Sequence, residues 1–380
     1  MNNSTTVSRV TSKAELRCFV LFPWTIYRDD PNWVPPLVSG RLAYLGDRAD
    51  PYFQHGDAEL FMAYQDGKPV GTVAAAYNHE INEARGEKLG VFGFFECIPD
   101  KEVAFALWDQ ASKWLRRVGM AIMRGPYSFR RTDDPGFLVQ GHETRPPMLM
   151  GHTPLYYAEF AKTYDMELYE EVYTYRFDIS ATGIALDSFD THRLARRARM
   201  ASQDVGLAIR TVRPETWEKD SEVIRQIFNT AMEHYEDVTP IPQEEWQGYM
   251  NIVRPFIDLD FALIAEIDSE PVGIAAAFRD AANVLHKVNG LRYPWHYLRL
   301  PFALRKNKAL SLKLMGILED YRRLGVGTAL FVKMLKQALQ NGITEIDISL
   351  VGAGNKLMNP FMERLGCERY RTYQIYEVKF

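Results

Sequence analysis

Cysteine is scarce, with Cys18, Cys97 and Cys367 the three in 380 residues. They are too far apart in sequence for a zinc site and odd in number, which excludes a disulfide framework, predicts no metal centre and points to a reducing compartment. Long apolar runs are missing too. No stretch of about 18 uncharged apolar residues occurs, so no membrane-spanning helix is expected. The polar opening from Met1 to Lys13 lacks the apolar core of a secretion signal. A cytoplasmic location is the expectation, with peripheral contact at the inner membrane surface left open. An excess of one charge is also absent, for 45 Lys plus Arg face 49 Asp plus Glu, a net charge of −4. No global field recruits nucleic acid, and any basic surface must be local.

What is present is a soluble composition, 47% hydrophobic and 25% charged, over a length that suits two middling domains. An internal repeat supports two copies of one fold. Leu60 to Ala75 reads as two apolar arms around Asp66-Gly67, a hairpin signal. Phe261 to Ala277 repeats it 202 residues later, with Ala63, Asp66, Pro69, Val70, Gly71, Ala74 and Ala75 matched by identical residues. After each hairpin come an apolar strand, an amphipathic helix and another apolar strand. In the first half these are Gly90 to Cys97, Glu102 to Arg117 and Met120 to Arg124; in the second they are Leu310 to Leu318, Val326 to Leu339 and Glu345 to Val351. The pattern predicts an α/β protein of mixed, mostly antiparallel sheets flanked by helices. The expected boundaries are 1–180, a linker helix at 181–206 with the basic run His192 to Arg199 on a solvated face, and 207–380.

The most informative stretch follows the strand ending at Ile317-Leu318 and reads Glu319-Asp320-Tyr321-Arg322-Arg323-Leu324-Gly325-Val326-Gly327-Thr328. Glycines at a strand-to-helix junction let backbone N–H groups turn inward, and the helix start adds positive potential, which suits a pyrophosphate. A Walker loop is excluded because no Gly-Lys-Ser/Thr follows, and the dinucleotide Gly-x-Gly-x-x-Gly spacing is absent. On these residues alone, a tight turn without ligand is the alternative.

Arg322-x-x-Gly325-x-Gly327 resembles the pyrophosphate loop of the GNAT superfamily, the acyl-CoA-dependent N-acyltransferases. Asn355 and the helix ending Leu365-Gly366-Cys367 are similar to that family's next helix. The resemblance spans about 207–380 and implies acyl-CoA as cosubstrate. Amides from Arg323 to Thr328 (Arg323, Leu324, Gly325, Val326, Gly327, Thr328) would hold the pyrophosphate, Ile317, Leu318 and Glu319 would pair with the pantetheine arm, and Asn355 would lie beside it. Backbone N–H groups of the same Ile317 to Glu319 segment are expected to stabilise the oxyanion. Where the family often has a tyrosine acid, this chain has Met362. The first half resembles the same fold without the loop, since Ile98-Pro99-Asp100 runs into its helix with no glycines. Tyr27 to Pro36 and Phe92 to Glu96 resemble a bacterial family of two-domain GNAT-like proteins that includes the bacterial ceramide synthases, which N-acylate a sphingoid amine.

The expected activity is acyl transfer from acyl-CoA to an amine, with a long-chain sphingoid amine as the specific expectation. A short-chain N-acetyltransferase and a non-enzymatic acyl-CoA sensor are the rivals. Candidate proton acceptors are Glu319, Glu96, which ends the corresponding first-half strand, and His286. The carboxylates could equally be caps or surface residues, and His286 a surface residue. Tyr370, Tyr373 and Tyr376 are possible donors. An insertion at 281–309 has no counterpart in the first half; no acid occurs from Ala281 to Leu318, and cations alternate with Tyr293, Trp295, Tyr297 and Phe302. That composition suits an anionic membrane surface, packing on the other domain, or, least well, nucleic-acid stacking. The sequence does not fix the oligomeric state.

Overall fold

Alternating apolar residues and tight Asp-led turns make each copy of the repeat a hairpin. The turns Asp66-Gly67 and Asp268-Ser269 both hold two successive residues at positive φ (50° and 73°, 52° and 68°), the twist that suits two-residue hairpins. The computed structural model describes residues 4–46, 52–130, 134–233, 240–254 and 257–380. Its strands are β1 (Thr6–Arg9), β2 (Gly56–Gln65), β3 (Lys68–Asn78), β4 (Leu89–Cys97), β5 (Ile122–Gly125), β6 (Phe137–Gln140), β7 (Glu167–Asp178), β8 (Leu207–Thr211), β9 (Ala262–Ile267), β10 (Glu270–Arg279), β11 (Ala309–Ile317), β12 (Glu345–Gly352) and β13 (Glu368–Lys379). All join one sheet in the order β1-β2-β3-β4-β5-β13-β7-β12-β11-β10-β9-β8, with β6 paired to β13 beside that path.

The order is a palindrome in the repeat, because β1 to β5 and β8 to β12 run inward from opposite edges to a central pair. That central pair is exchanged. The first half's last strand, β7, pairs with β12, the second half's last strand, β13, pairs with β5, and β7 and β13 pair with each other. Only β4 with β5 and β11 with β12 run parallel among the described pairs. The expected mixed, mostly antiparallel sheet is thus one continuous sheet shared by both halves.

Helices cover both faces. Lys101–Arg117 turns Val103, Ala104, Leu107, Trp108, Ala111 and Leu115 inward at helical spacing, while Lys13–Leu21 and Val38–Gly46 cover the opposite face of the first half. In the second half Val326–Gln340 lies on one face and Trp217–Met232 with Gln243–Val253 on the other. The helix Arg193–Asp204, expected as a solvated connector, buries Ala195 and Ala198 in the second-half core beside Val326–Gln340. Its arginines stay outside.

Two crossing segments tie the halves together. The loop at 141–155 is anchored by Arg371, fully buried, whose guanidinium donates to the carbonyls of Gly141, Thr144 and Gly151, to Tyr373 Oη and to His152 Nδ1. Burial and the Arg371 charge push the His152 imidazole down to about 4, so it is neutral at pH 7 and its Nε2–H faces Asp30 at 2.9 Å. The insertion forms the helix Ala282–Lys287, turns at Asn289–Leu291 and Pro294–Arg299, and the helix Leu300–Arg305. It docks on the first half: Trp24 Nε1 donates to Asn289 Oδ1 at 2.8 Å, and a Cβ on Gly290 would lie 2.2 Å from the Pro36 carbonyl.

Candidate active site

The loop after β11 begins with a single turn, Glu319–Tyr321, and ends at Gly325, whose φ of 81° permits the reversal into Val326–Gln340. A side chain at Gly325 would also meet Ala201 Cβ at 2.6 Å, so the helix Arg193–Asp204 closes directly on the loop. Arg322 braces the loop from behind by donating to the carbonyls of Ile317 and Ala231, both at 3.2 Å. Intrahelical bonding begins with Ala329 N–H to Gly325 O at 3.0 Å, which leaves the earlier amides of Val326, Gly327 and Thr328 at the open end of the helix. No acid occupies the first turn. These residues fit a pyrophosphate.

Beside the loop, β11 and β12 part. Their parallel register runs from Ala309 with Glu345 to Leu312 with Ile348 and stops there, although both strands continue. The antiparallel pairing of β11 with β10 passes from Leu312 to Leu314, making Lys313 the extra residue of a bulge at the same point. A buried polar cluster bridges this vertex. Lys313 Nζ donates to Ser349 Oγ at 2.7 Å, Ser349 Oγ donates to Asp347 Oδ1 at 2.8 Å, and Tyr370 Oη donates to Asp347 Oδ2 at 2.7 Å. Ser311 Oγ adds a longer contact to Oδ1 at 3.3 Å. Burial pushes the Asp347 carboxyl up to about 7 against the pull of the Lys313 charge and the Tyr370 hydrogen bond. A carboxyl poised near neutrality where two strands open is suited to general-base chemistry.

The first half holds a different site. A cavity of about 410 Å³ lies between β4, the helices of the outer face and the 141–155 loop, lined mainly by apolar side chains that include Phe19, Val20, Leu37, Phe94, Met148 and Met150. The second half contributes Ala282 and Leu285 of the insertion to its wall. Glu96 faces this cavity, with Oε2 accepting from Tyr27 Oη and Tyr157 Oη, each at 2.8 Å. Burial pushes its carboxyl up to about 8, while those two hydrogen bonds and the Arg41 charge pull the other way.

The expected site residues fall in three places. Ile317 ends β11, and Leu318 through Thr328 form the loop just described and the first residues of the helix after it. Leu318 N–H donates to Val272 O at 3.0 Å and is committed to the sheet. Glu319 is exposed at the loop start, and Asn355 accepts from Leu357 N and Met358 N, so its side chain starts the helix Met358–Leu365. His286 Nδ1 faces the Trp33 carbonyl at 3.0 Å and fastens the insertion to the first half. Glu96 aligns with Gly316, and not with Glu319, because Gly71 pairs with Cys97 as Gly273 pairs with Ile317. Five strand steps separate β4 from β11, roughly 24 Å along the sheet. The three candidate proton acceptors therefore do not converge. Met362 is fully buried in the core, as are Tyr373 and Tyr376, whereas Tyr370 reaches Asp347. Sequence reasoning missed Asp347, Ser349 and Lys313. The signal was the strand Glu345-Ile-Asp-Ile-Ser, which puts acids and a serine on one face of a central strand.

Residues 224–367 match the Acetyltransferase (GNAT) family. Protein YghO of Escherichia coli is 26% identical over 374 residues, covering 96% of this chain and 93% of its own length. A protein named bacterial ceramide synthase, from Caulobacter vibrioides, is 26% identical over 383 residues, covering 99% and 98%. Among solved structures, a tandem GNAT protein from the clavulanic acid biosynthesis pathway aligns with a TM-score of 0.59 at 12% identity, over 99% of this chain and 98% of the other. A GCN5-related N-acetyltransferase from Sphaerobacter thermophilus gives 0.57 at 11% identity, over 99% and 95%. At such identities the solved structures speak for the fold.

Proposed function

We propose that this chain, an acyltransferase of the GNAT type, moves an acyl group from acyl-CoA to the amine of a long-chain, sphingoid-like acceptor. The observation that carries the reading is the first-half cavity, about 410 Å³ and mainly apolar, with walls from both halves. Its volume and apolar walls suit a hydrocarbon chain better than an acetyl group or a small polar amine. At neutral pH Glu96 is largely protonated, which leaves the cavity without a fixed charge at that point. The relative named bacterial ceramide synthase supports the same acceptor class.

Acyl-CoA supplies an activated thioester. The amides of Arg323 to Thr328 hold its pyrophosphate, and the parted strands β11 and β12 receive the arm. The acceptor arrives as an ammonium and must lose a proton before its nitrogen can attack the carbonyl carbon. Asp347 takes that proton, directly or through Ser349 Oγ. The C–N bond forms as the C–S bond breaks, and the nitrogen's second proton passes to the departing thiolate, which leaves as the thiol without the family's tyrosine, whose position is filled by buried Met362. Tyr370, held protonated by burial and the neighbouring Asp347 charge, keeps Asp347 in place through its hydrogen bond.

The test is to incubate the purified protein with acyl-CoAs of graded length and a panel of amines and to identify products by mass. An N-acylated long-chain amine is the expected product. Turnover confined to acetyl-CoA with small polar amines would replace this reading with a short-chain acetyltransferase.

A further inference from the structure

All four exposed aromatic residues among the described side chains lie in one short segment of the insertion, Tyr293, Trp295, Tyr297 and Phe302. Leu298 and Leu304 join them, and the exposure is large: 76% for Leu298, 67% for Phe302 and 57% for Trp295. Clustered exposure of this kind marks an interaction surface. The segment is also built to present these side chains. Val284, Val288 and Ala303 form a small core beneath it, with Leu291 and Leu300 packed alongside, and Tyr293 stacks on Trp295 at 4.6 Å. Around the apolar tip stand exposed Lys287, Arg299, Lys306 and Lys308, and no acid occurs from Ala281 to Leu318.

We infer that the knob at 293–308 seats on an anionic lipid bilayer, its aromatic and leucine side chains entering the headgroup region and its cations meeting lipid phosphates. An exposed apolar tip in a segment that carries cations and no acid is complementary to that surface, and a neutral protein face would leave the cations unmatched. The knob grows directly from the helix Ala282–Lys287, whose Ala282 and Leu285 line the first-half cavity. A long-chain amine resident in the bilayer would thus enter the cavity beside the point of contact. This last step rests on the proposed acyl transfer, whereas bilayer binding does not.

The test uses the full chain and sedimentation with vesicles of phosphatidylcholine alone or mixed with phosphatidylglycerol. The wild type is expected to bind the anionic vesicles, less so as salt rises. The triple change Arg299→Glu, Lys306→Glu, Lys308→Glu should weaken binding about a hundredfold or more, from roughly 1 kcal/mol for each cation near the surface. The change Trp295→Ser, Leu298→Ser, Phe302→Ser should weaken it with less dependence on salt. Thermal unfolding checks that both variants fold. Absent wild-type binding, or equal binding by folded variants, overturns the inference. So does dissociation of a dimer by the serine variant in ultracentrifugation with vesicle binding unchanged, since the face would then be a self-contact. Both variants should still acylate a long-chain amine presented in detergent micelles. If the wild type binds vesicles yet forms no product in micelles, the bilayer inference stands and the acyl-transfer reading falls.

Discussion

In the first half, the helix after the splayed strand starts on Asp100, whose carboxylate accepts Glu102 N–H at 3.0 Å. In the second half the equivalent helix starts on Gly325, with no acid in its first turn. The two junctions share one strand plan and one helix position, so the contrast isolates what an anion site needs. A carboxylate at the first turn satisfies the open amides and cancels the helix's positive end; a glycine leaves both available. The parted strands differ in the same sense. Beyond the end of β5, Tyr127 N–H bonds Phe92 O at 2.8 Å, and a Cβ on Gly93 would sit 1.5 Å from the Tyr127 carbonyl, so backbone fills the first-half opening. In the second half the vertex carries Lys313, Ser349 and Asp347. One copy lines a cavity, and the other presents an open, acid-free helix start of the kind that suits a phosphate.

The largest effect should come from placing the first half's acid in the second. Gly327→Asp adds a charge where the phosphates would sit and a side chain within 3.1 Å of Ile317 Cδ1. Charge alone, worth up to about 2 kcal/mol at a helix start, should weaken acyl-CoA binding about thirtyfold. Calorimetry on the folded variant reads this, and unchanged affinity would break the comparison.

Next in size is Asp347→Asn, expected to lower kcat/KM about a hundredfold or more, the usual scale of a general base. Wild-type activity should rise with pH through about 7, where Asp347 ionises. That rise should vanish in the variant and persist in Glu96→Gln. A pH profile unaffected by Asp347→Asn would remove the base from this position.

Glu96→Gln sharpens the contrast through stability. Burial raises the folded carboxyl to about 8 from an ordinary value of 4.5. The folded state therefore holds its proton over a window in which the unfolded chain has lost it. The wild type accordingly loses stability as pH rises from about 4.5, with the loss complete above about 8. The variant lacks this term, so its melting temperature should gain on the wild type across that window. A constant difference would mean that Glu96 ionises freely. The smallest effect is Asp100→Ala, a lost cap worth about 1 kcal/mol with no change in acyl-CoA affinity.

The hairpins, the strand-helix-strand runs and the glycine-led junction after β11 were legible because each is written in contiguous residues. Gly325 and Gly327 carry their geometry locally. The exchange of β7 and β13 was not legible, because either strand offers the same alternation to either neighbour and the choice is made by the assembled sheet. Asp347, Ser349 and Lys313 were hidden for a related reason: they lie on two strands and meet only at the vertex. Glu96 was read as a possible base from its strand-end position, but nothing local reveals the two tyrosines, 69 residues before it and 61 after it, that enclose it.

The most direct measurement is the stoichiometry of acyl-CoA binding by calorimetric titration of the full chain. The asymmetry of the two helix junctions predicts saturation at one molecule per chain, with the site lost in Gly327→Asp and untouched in Asp100→Ala. Saturation at two, or a single site that survives Gly327→Asp and is altered by Asp100→Ala, would contradict the assignment of the two halves.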